Sequence, residues 1–188
     1  MGGSFTPTEF LEIAKKIPIF NNIQIFIETG THHGETTRIA SVIFIEVFTF
    51  EINKIYYEFA KKKLGTLNCN NVNHMLGDSV ELLDNLLDTE HRQAFFFLDA
   101  HHQYMQTTEN VKMDNGTGQT PLMKELDIIN SKYPKIPGII CIDDVRLWRS
   151  ENKDWENVND QKIINSLSNH KISDTFEYGD RLYFIINT

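Results

Sequence analysis

The strand candidates of this chain are largely apolar runs that stop at a carboxylate or within a residue or two of one, and an amphipathic stretch separates most of them. Ile23–Ile27 runs into Glu28, Val47–Phe50 into Glu51, Val72–Leu76 towards Asp78, Ala94–Leu98 into Asp99, and Gly138–Ile142 into Asp143 and Asp144. Ala94-Phe95-Phe96-Phe97-Leu98 has no polar residue on either side of its pleat, so both of its faces must be covered. Such strands belong to a mostly parallel sheet sandwiched between helices.

The stretches between the strands supply those helices. Thr8–Ile17 carries Phe10, Leu11 and Ala14 on one face and is closed by Pro18, so residues 1–20 read as a helical cover. A short helix is expected over Thr37–Ser41, and another from a cap at Asn53 to Leu64 with Gly65 beyond it. Asp78 and Glu81 have capping-box spacing for the next. Thr120-Pro121 opens a helix with Leu122, Leu126 and Ile129 in one stripe, and Gln161–Leu167 a last one. Ile172–Tyr178 and Leu182–Ile186, separated only by Gly179-Asp180-Arg181, form an antiparallel hairpin at the sheet edge. Residues 102–119 are polar, hold two glycines and read as a lid loop. No repeat or linker divides the 188 residues, so 1–188 is expected to be one α/β domain.

Eighteen basic against 26 acidic residues leave a formal charge of −8, which repels phosphate backbones and makes nucleic acid an unexpected partner. No apolar run is long enough to span a bilayer, and the start lacks the layout of a secretory signal. Two cysteines make no disulfide framework, so a reducing, cytoplasmic setting is expected.

In an open parallel sheet, ligands sit beyond the carboxyl ends of the strands, where Glu28, Glu51, Asp78, Asp99, Asp143 and Asp144 should share one rim. Like charges crowded there raise one another's pKa values unless a cation or hydrogen-bond donors offset them, so a cationic ligand or a metal is implied. The turn Glu28-Thr29-Gly30-Thr31-His32-His33-Gly34 lets backbone approach a ligand closely. It places His32 where a dinucleotide fingerprint would want a glycine, which disfavours a pyrophosphate. Glu51 can accept hydrogen bonds from both ribose hydroxyls of a nucleoside, and Asp78-Ser79 can meet the amino edge of an adenine.

The series IETGTHHGETT, FTFEIN, GDS, FFFLDAHH and IDDV resembles the motif order of class I S-adenosylmethionine-dependent methyltransferases, from about Ile23 to Thr188. Asp99 followed by Asp143-Asp144 is similar to the metal-dependent O-methyltransferases, the sugar O-methyltransferases especially. The resemblance implies a Rossmann-like sheet of seven strands with the last antiparallel. It also implies an S-adenosylmethionine site built from Glu28, Thr29, Gly30, Gly34, Thr36, Thr37, Glu51, Asn53, Asp78, Ser79 and Asp99. Asp99, Asp143 and Asp144 would hold Mg²⁺, with Mn²⁺ or Ca²⁺ as alternatives. Such an ion makes a bound hydroxyl a better nucleophile and aligns it with the sulfonium methyl.

His101 stands where several of those sugar enzymes place a carboxylate base, and an imidazole can take the hydroxyl proton, with His102 as competitor or substrate contact. His32 and His33 are expected to shape the pocket. Trp148 could stack on a sugar ring, and Arg146 and Arg149 could hold the phosphates of a nucleotide-linked acceptor. The expected acceptor is a hydroxyl of a sugar, nucleotide-sugar or glycan. A catechol or other diol would satisfy the same residues, and the chain could be one domain of a larger glycan-modifying polypeptide. The rivals are an NAD-dependent oxidoreductase, which would also use Glu51, and a noncatalytic glycan-binding module.

Overall fold

The structure, a computed structural model, describes residues 3–101 and 120–187; the lid-loop expectation for 102–119 and the role given to His102 lie outside them. The strands β1 (Ile25–Thr29), β2 (Glu46–Glu51), β3 (Val72–Leu76), β4 (Ala94–Leu98), β5 (Gly138–Ile142), β6 (Lys171–Tyr178) and β7 (Arg181–Asn187) form one sheet in the order β3-β2-β1-β4-β5-β7-β6. Pairing is parallel from β3 across to β5, then antiparallel between β5 and β7 and between β7 and β6. The hairpin expected at the edge therefore folds inwards. Its second strand, β7, is interior, because Leu182–Ile186 is apolar on both faces, while the alternating β6 takes the edge.

The helices are α1 (Pro7–Lys16), α2 (Glu35–Ile43), α3 (Lys54–Thr66), α4 (Ser79–Leu87), α5 (Leu122–Lys132), α6 (Val145–Trp148) and α7 (Asp160–Ser166). None among the described residues is long and apolar enough to cross a membrane. The pleat of β4 divides the core. Phe95 and Phe97 face α1 and the Pro18–Asn22 3₁₀ turn together with Phe5, Phe10, Phe20, Phe26 and Phe44, whereas Phe96 and Leu98 face Leu83, Leu126, Ile129 and Trp148. Each fully buried phenylalanine contributes roughly 2–3 kcal/mol of apolar burial, so the run that constrains the sequence most also anchors both layers.

Several boundaries move for local reasons. β1 starts at Ile25 because Pro18–Asn22 coils into the 3₁₀ turn, leaving Ile23 as its cap. α1 starts earlier than Thr8 because Thr6 and Glu9 make a full capping box. α2 begins at Glu35 directly after Gly34, whose left-handed φ of 70° lets the chain enter the helix from the turn. Asp78 caps α4 through the Val80 amide alone, without the capping box expected with Glu81. Thr120 hydrogen-bonds to the Ala100 carbonyl, and Pro121 takes the cap position of α5.

After β3 the chain crosses from one side of β1 to the other to enter β4. The carboxyl ends of β1 and β4 therefore flank the crevice at which open α/β sheets bind their ligands.

Candidate cofactor cleft and acidic centre

The turn after β1 is held from three directions. Gly30 and Thr31 donate their amides to the Phe50 carbonyl at 3.0 and 3.1 Å, joining the turn to the end of β2. Glu51 accepts the His32 amide on one carboxylate oxygen at 2.7 Å and the Asn53 amide on the other at 2.8 Å. Beneath the turn, Glu28 accepts hydroxyl protons from Thr37 at 2.5 Å and Thr49 at 2.7 Å. Gly30, His32 and Gly34 all have positive φ. At Gly30 a Cβ would stand 2.8 Å from the Asp99 carbonyl oxygen, a close approach that only glycine allows.

The electrostatics follow from this packing. Burial pushes the Glu28 carboxyl up to about 8, against the two threonine hydroxyls. Burial also raises Glu51, which the surrounding backbone amides oppose. His32 is lowered by burial and by the charge of neighbouring histidines, one of them His101, which places the turn in the field of the acidic centre. His32 and His33 stack with ring centroids 3.9 Å apart, and Tyr56 lies against both.

Several residues expected to line the cofactor site also make hydrogen bonds within the protein. Thr37 is spent on Glu28, Thr36 accepts the Phe5 amide, and Asn53 caps α3 through the Ile55 and Tyr56 amides. Thr29 accepts the Asp99 amide at 3.3 Å and donates to Glu125 at 3.4 Å. Ser79 donates to the other oxygen of Glu125 at 2.5 Å. Glu125 is entirely buried, and burial pushes it up to about 7 against the pull of Ser79 and Thr29. The sequence reading missed it, although a glutamate within the Leu122, Leu126, Ile129 stripe was a legible signal.

At the ends of β4 and β5 the structure brings together Asp99, His101 and Asp144, whose ligand atoms all lie within 4.8 Å of one another. His101 Nδ1 is 3.5 Å from Asp99 and 3.6 Å from Asp144. Burial opposes a charge on His101, but the two carboxylates outweigh it and hold the imidazole at about 9. Asp144 reaches this position through a left-handed backbone, φ 62°, which turns its side chain back across the strand ends.

Asp143 does not join the grouping expected of it; His101 takes its place. The Asp143 side chain accepts the Asp144 amide and lies 3.3 Å from Nε of Arg181. Arg181, 2% exposed, also pairs with Glu9 of α1 and sits over the Phe5 ring at 4.1 Å. Burial and the Asp99 charge push Asp143 up to about 7, against the guanidinium. Nothing in the Gly179-Asp180-Arg181 turn marked this arginine as a core counter-charge.

The residues expected to meet an acceptor are also redistributed. Trp148 is buried against Trp155 and donates its indole N–H to Asp160, so it offers no exposed ring face for a sugar. Arg146 pairs with Asp144 and Asp180, and Arg149 with Asp160 and Glu177, so both phosphate-holding candidates already have carboxylate partners.

No protein-family model matches the chain, and no curated protein sequence matches it significantly. Solved structures do. The O-methyltransferase TomG from Streptomyces achromogenes, involved in tomaymycin synthesis and solved in complex with SAM, superposes with a TM-score of 0.68 at 13% identity, covering 99% of this chain and 82% of that one. An O-methyltransferase from Bacillus cereus in complex with SAH gives 0.63 at 13% identity, covering 98% and 83%. An rRNA methylase from Streptococcus thermophilus gives 0.51 at 14% identity, covering 89% and 87%. The chain shares the class I methyltransferase fold with them.

Proposed function

We propose that the chain transfers a methyl group from S-adenosylmethionine to a hydroxyl oxygen of a sugar or glycan, with a divalent cation at Asp99, His101 and Asp144. The observation that carries this reading is the contact between the two halves of the site: the Gly30 turn packs on the Asp99 backbone, so a nucleoside held at Glu51 and an ion held at Asp99 would be neighbours. Two carboxylates and one imidazole fit a divalent ion. The nitrogen donor would favour Mn²⁺ over Mg²⁺, which prefers an all-oxygen set, and His101 would stand in the ligand set where Asp143 was expected.

The chain's own groups divide the work. Glu51, fixed by two backbone amides, keeps lone pairs for ribose hydroxyls. Gly30 lets the turn after β1 lie directly on the Asp99 backbone, which would set the cofactor cleft beside Asp99. The chemistry a divalent ion supplies when bound is acidification of an acceptor hydroxyl and fixation of its position. His101 shares its proton with Asp99 and Asp144 and would hold a cation as a neutral imidazole through Nδ1; with its other nitrogen protonated it would have no lone pair left for the acceptor's proton, which would pass to water. Because Arg146 and Arg149 are paired, an uncharged sugar or glycan suits the site better than a nucleotide-sugar.

Calorimetry with S-adenosylhomocysteine, followed by transfer of labelled methyl to a panel of sugars, glycans and catechols with Mg²⁺, Mn²⁺ or EDTA, tests each part. Binding of the cofactor product and cation-dependent labelling of a sugar are expected. Absence of cofactor binding would overturn the reading, and labelling of catechols alone would reassign the acceptor.

A further inference from the structure

Glu125 lies within the buried stripe of α5, among apolar side chains, where a carboxylate must be satisfied by donors. Its donors come from two separate strand ends. Ser79, after β3, gives its hydroxyl proton to one oxygen, and Thr29, at the end of β1, gives its own to the other. The Thr29 hydroxyl oxygen also accepts the Asp99 amide, at 3.3 Å.

A serine hydroxyl has one proton and two lone pairs. While Glu125 is ionised and takes this proton, Ser79 presents only lone pairs to a ligand in the crevice. Its position follows from the register: β3 pairs with β2 up to Leu76 beside Glu51, and the Gly77 amide donates to the Glu51 carbonyl. A nucleoside held by its ribose at Glu51 therefore brings the edge of its base towards Ser79. We infer that Glu125 is a positioning residue whose carboxylate turns Ser79 into an acceptor, so that this site selects a 6-amino purine over a 6-oxo purine. This rests on the proposed use of S-adenosylmethionine.

The test compares S-adenosylhomocysteine with its deaminated counterpart, S-inosylhomocysteine, by calorimetry at pH 8.5, where Glu125 is ionised, on the full chain and on Glu125→Gln, Ser79→Ala and the double variant. The wild type should prefer the amino form by about tenfold or more, the worth of one well-made hydrogen bond against an unpaired acceptor. In Glu125→Gln the amide oxygen can take the Thr29 proton while the amide N–H₂ donates to Ser79. That frees the Ser79 proton for a keto oxygen, and the preference should fall towards parity. Ser79→Ala should lose the preference to a similar extent, and the double variant should lose no more than either single change, because the two residues act as one unit. Should Glu125→Gln fail to fold, Glu125→Met, close in volume, gives the same readout. A wild-type ratio retained in Glu125→Gln or Glu125→Met overturns the inference while leaving methyl transfer intact. Failure of the wild type to bind S-adenosylhomocysteine removes both.

Discussion

The Cβ that Gly30 lacks would stand 2.8 Å from the carbonyl oxygen of Asp99, so the turn after β1 and the end of β4 meet backbone to backbone. Gly30→Ala must move one of them and must also hold a side chain at φ 86°. The expected result is a loss of about 1–3 kcal/mol in stability and a weakening of S-adenosylhomocysteine binding by at least tenfold, read by denaturant titration and calorimetry. Wild-type binding in a folded Gly30→Ala protein would detach the turn from the cofactor.

Asp143 and Asp144 are neighbours in sequence with different employment. Asp144→Asn removes one member of the Asp99, His101, Asp144 group and should abolish Mn²⁺ binding, followed by the ion's paramagnetic resonance signal, with little change in folding. Asp143→Asn instead strips a counter-charge from the buried Arg181, leaving Glu9. It should cost roughly 2–4 kcal/mol of stability while Mn²⁺ still binds. The opposite pattern would restore the three-aspartate arrangement.

Glu28 gives a pH dependence with a definite sign. Its folded-state pKa of about 8 lies above the ordinary carboxylate value, so between the two the native state keeps a proton that the unfolded chain has released. Stability from this group is complete in mild acid and declines as pH rises towards 8. Glu28→Gln keeps an oxygen for Thr37 and Thr49 but removes the titration, so it should flatten the decline and raise stability near pH 8.5 by on the order of a few kcal/mol. Denaturation midpoints at pH 5 and pH 8.5 for both proteins measure this; parallel curves would contradict it.

Trp148 was expected at an acceptor and is found in the core. Trp148→Ala should therefore destabilise the protein by about 3–5 kcal/mol, seen as a lower melting temperature. Trp148→Phe, which keeps the packing with Trp155 and loses the bond to Asp160, should leave the KM for any accepted sugar unchanged. A raised KM with an unchanged melting temperature would return Trp148 to the acceptor site.

The fold was legible because its determinants are local. A run such as Ala94–Leu98 has to be covered on both sides wherever it lies, and Asn53 and Asp78 mark helix starts by their own side-chain chemistry. The rim of carboxylates was legible for the same reason, since a strand's end is fixed by its own sequence. The hairpin's placement was not: Gly179-Asp180-Arg181 specifies a reversal, but which strand goes inside depends on a partner, and β5 chose the more apolar β7.

By itself, the sequence determined that acidic side chains would crowd one edge of a parallel sheet beside a glycine turn. Only the tertiary structure decided which of them pair within the core and which gather at the ends of β4 and β5. Charges that share a rim in one dimension are sorted by what packs beneath them: Arg181 drew Asp143 into the core, the hydroxyls of Thr37 and Thr49 drew in Glu28, and a left-handed Asp144 swung across to His101 and Asp99. Those partners lie far away in the chain, and a charge leaves water for whichever of them the fold brings within hydrogen-bonding reach.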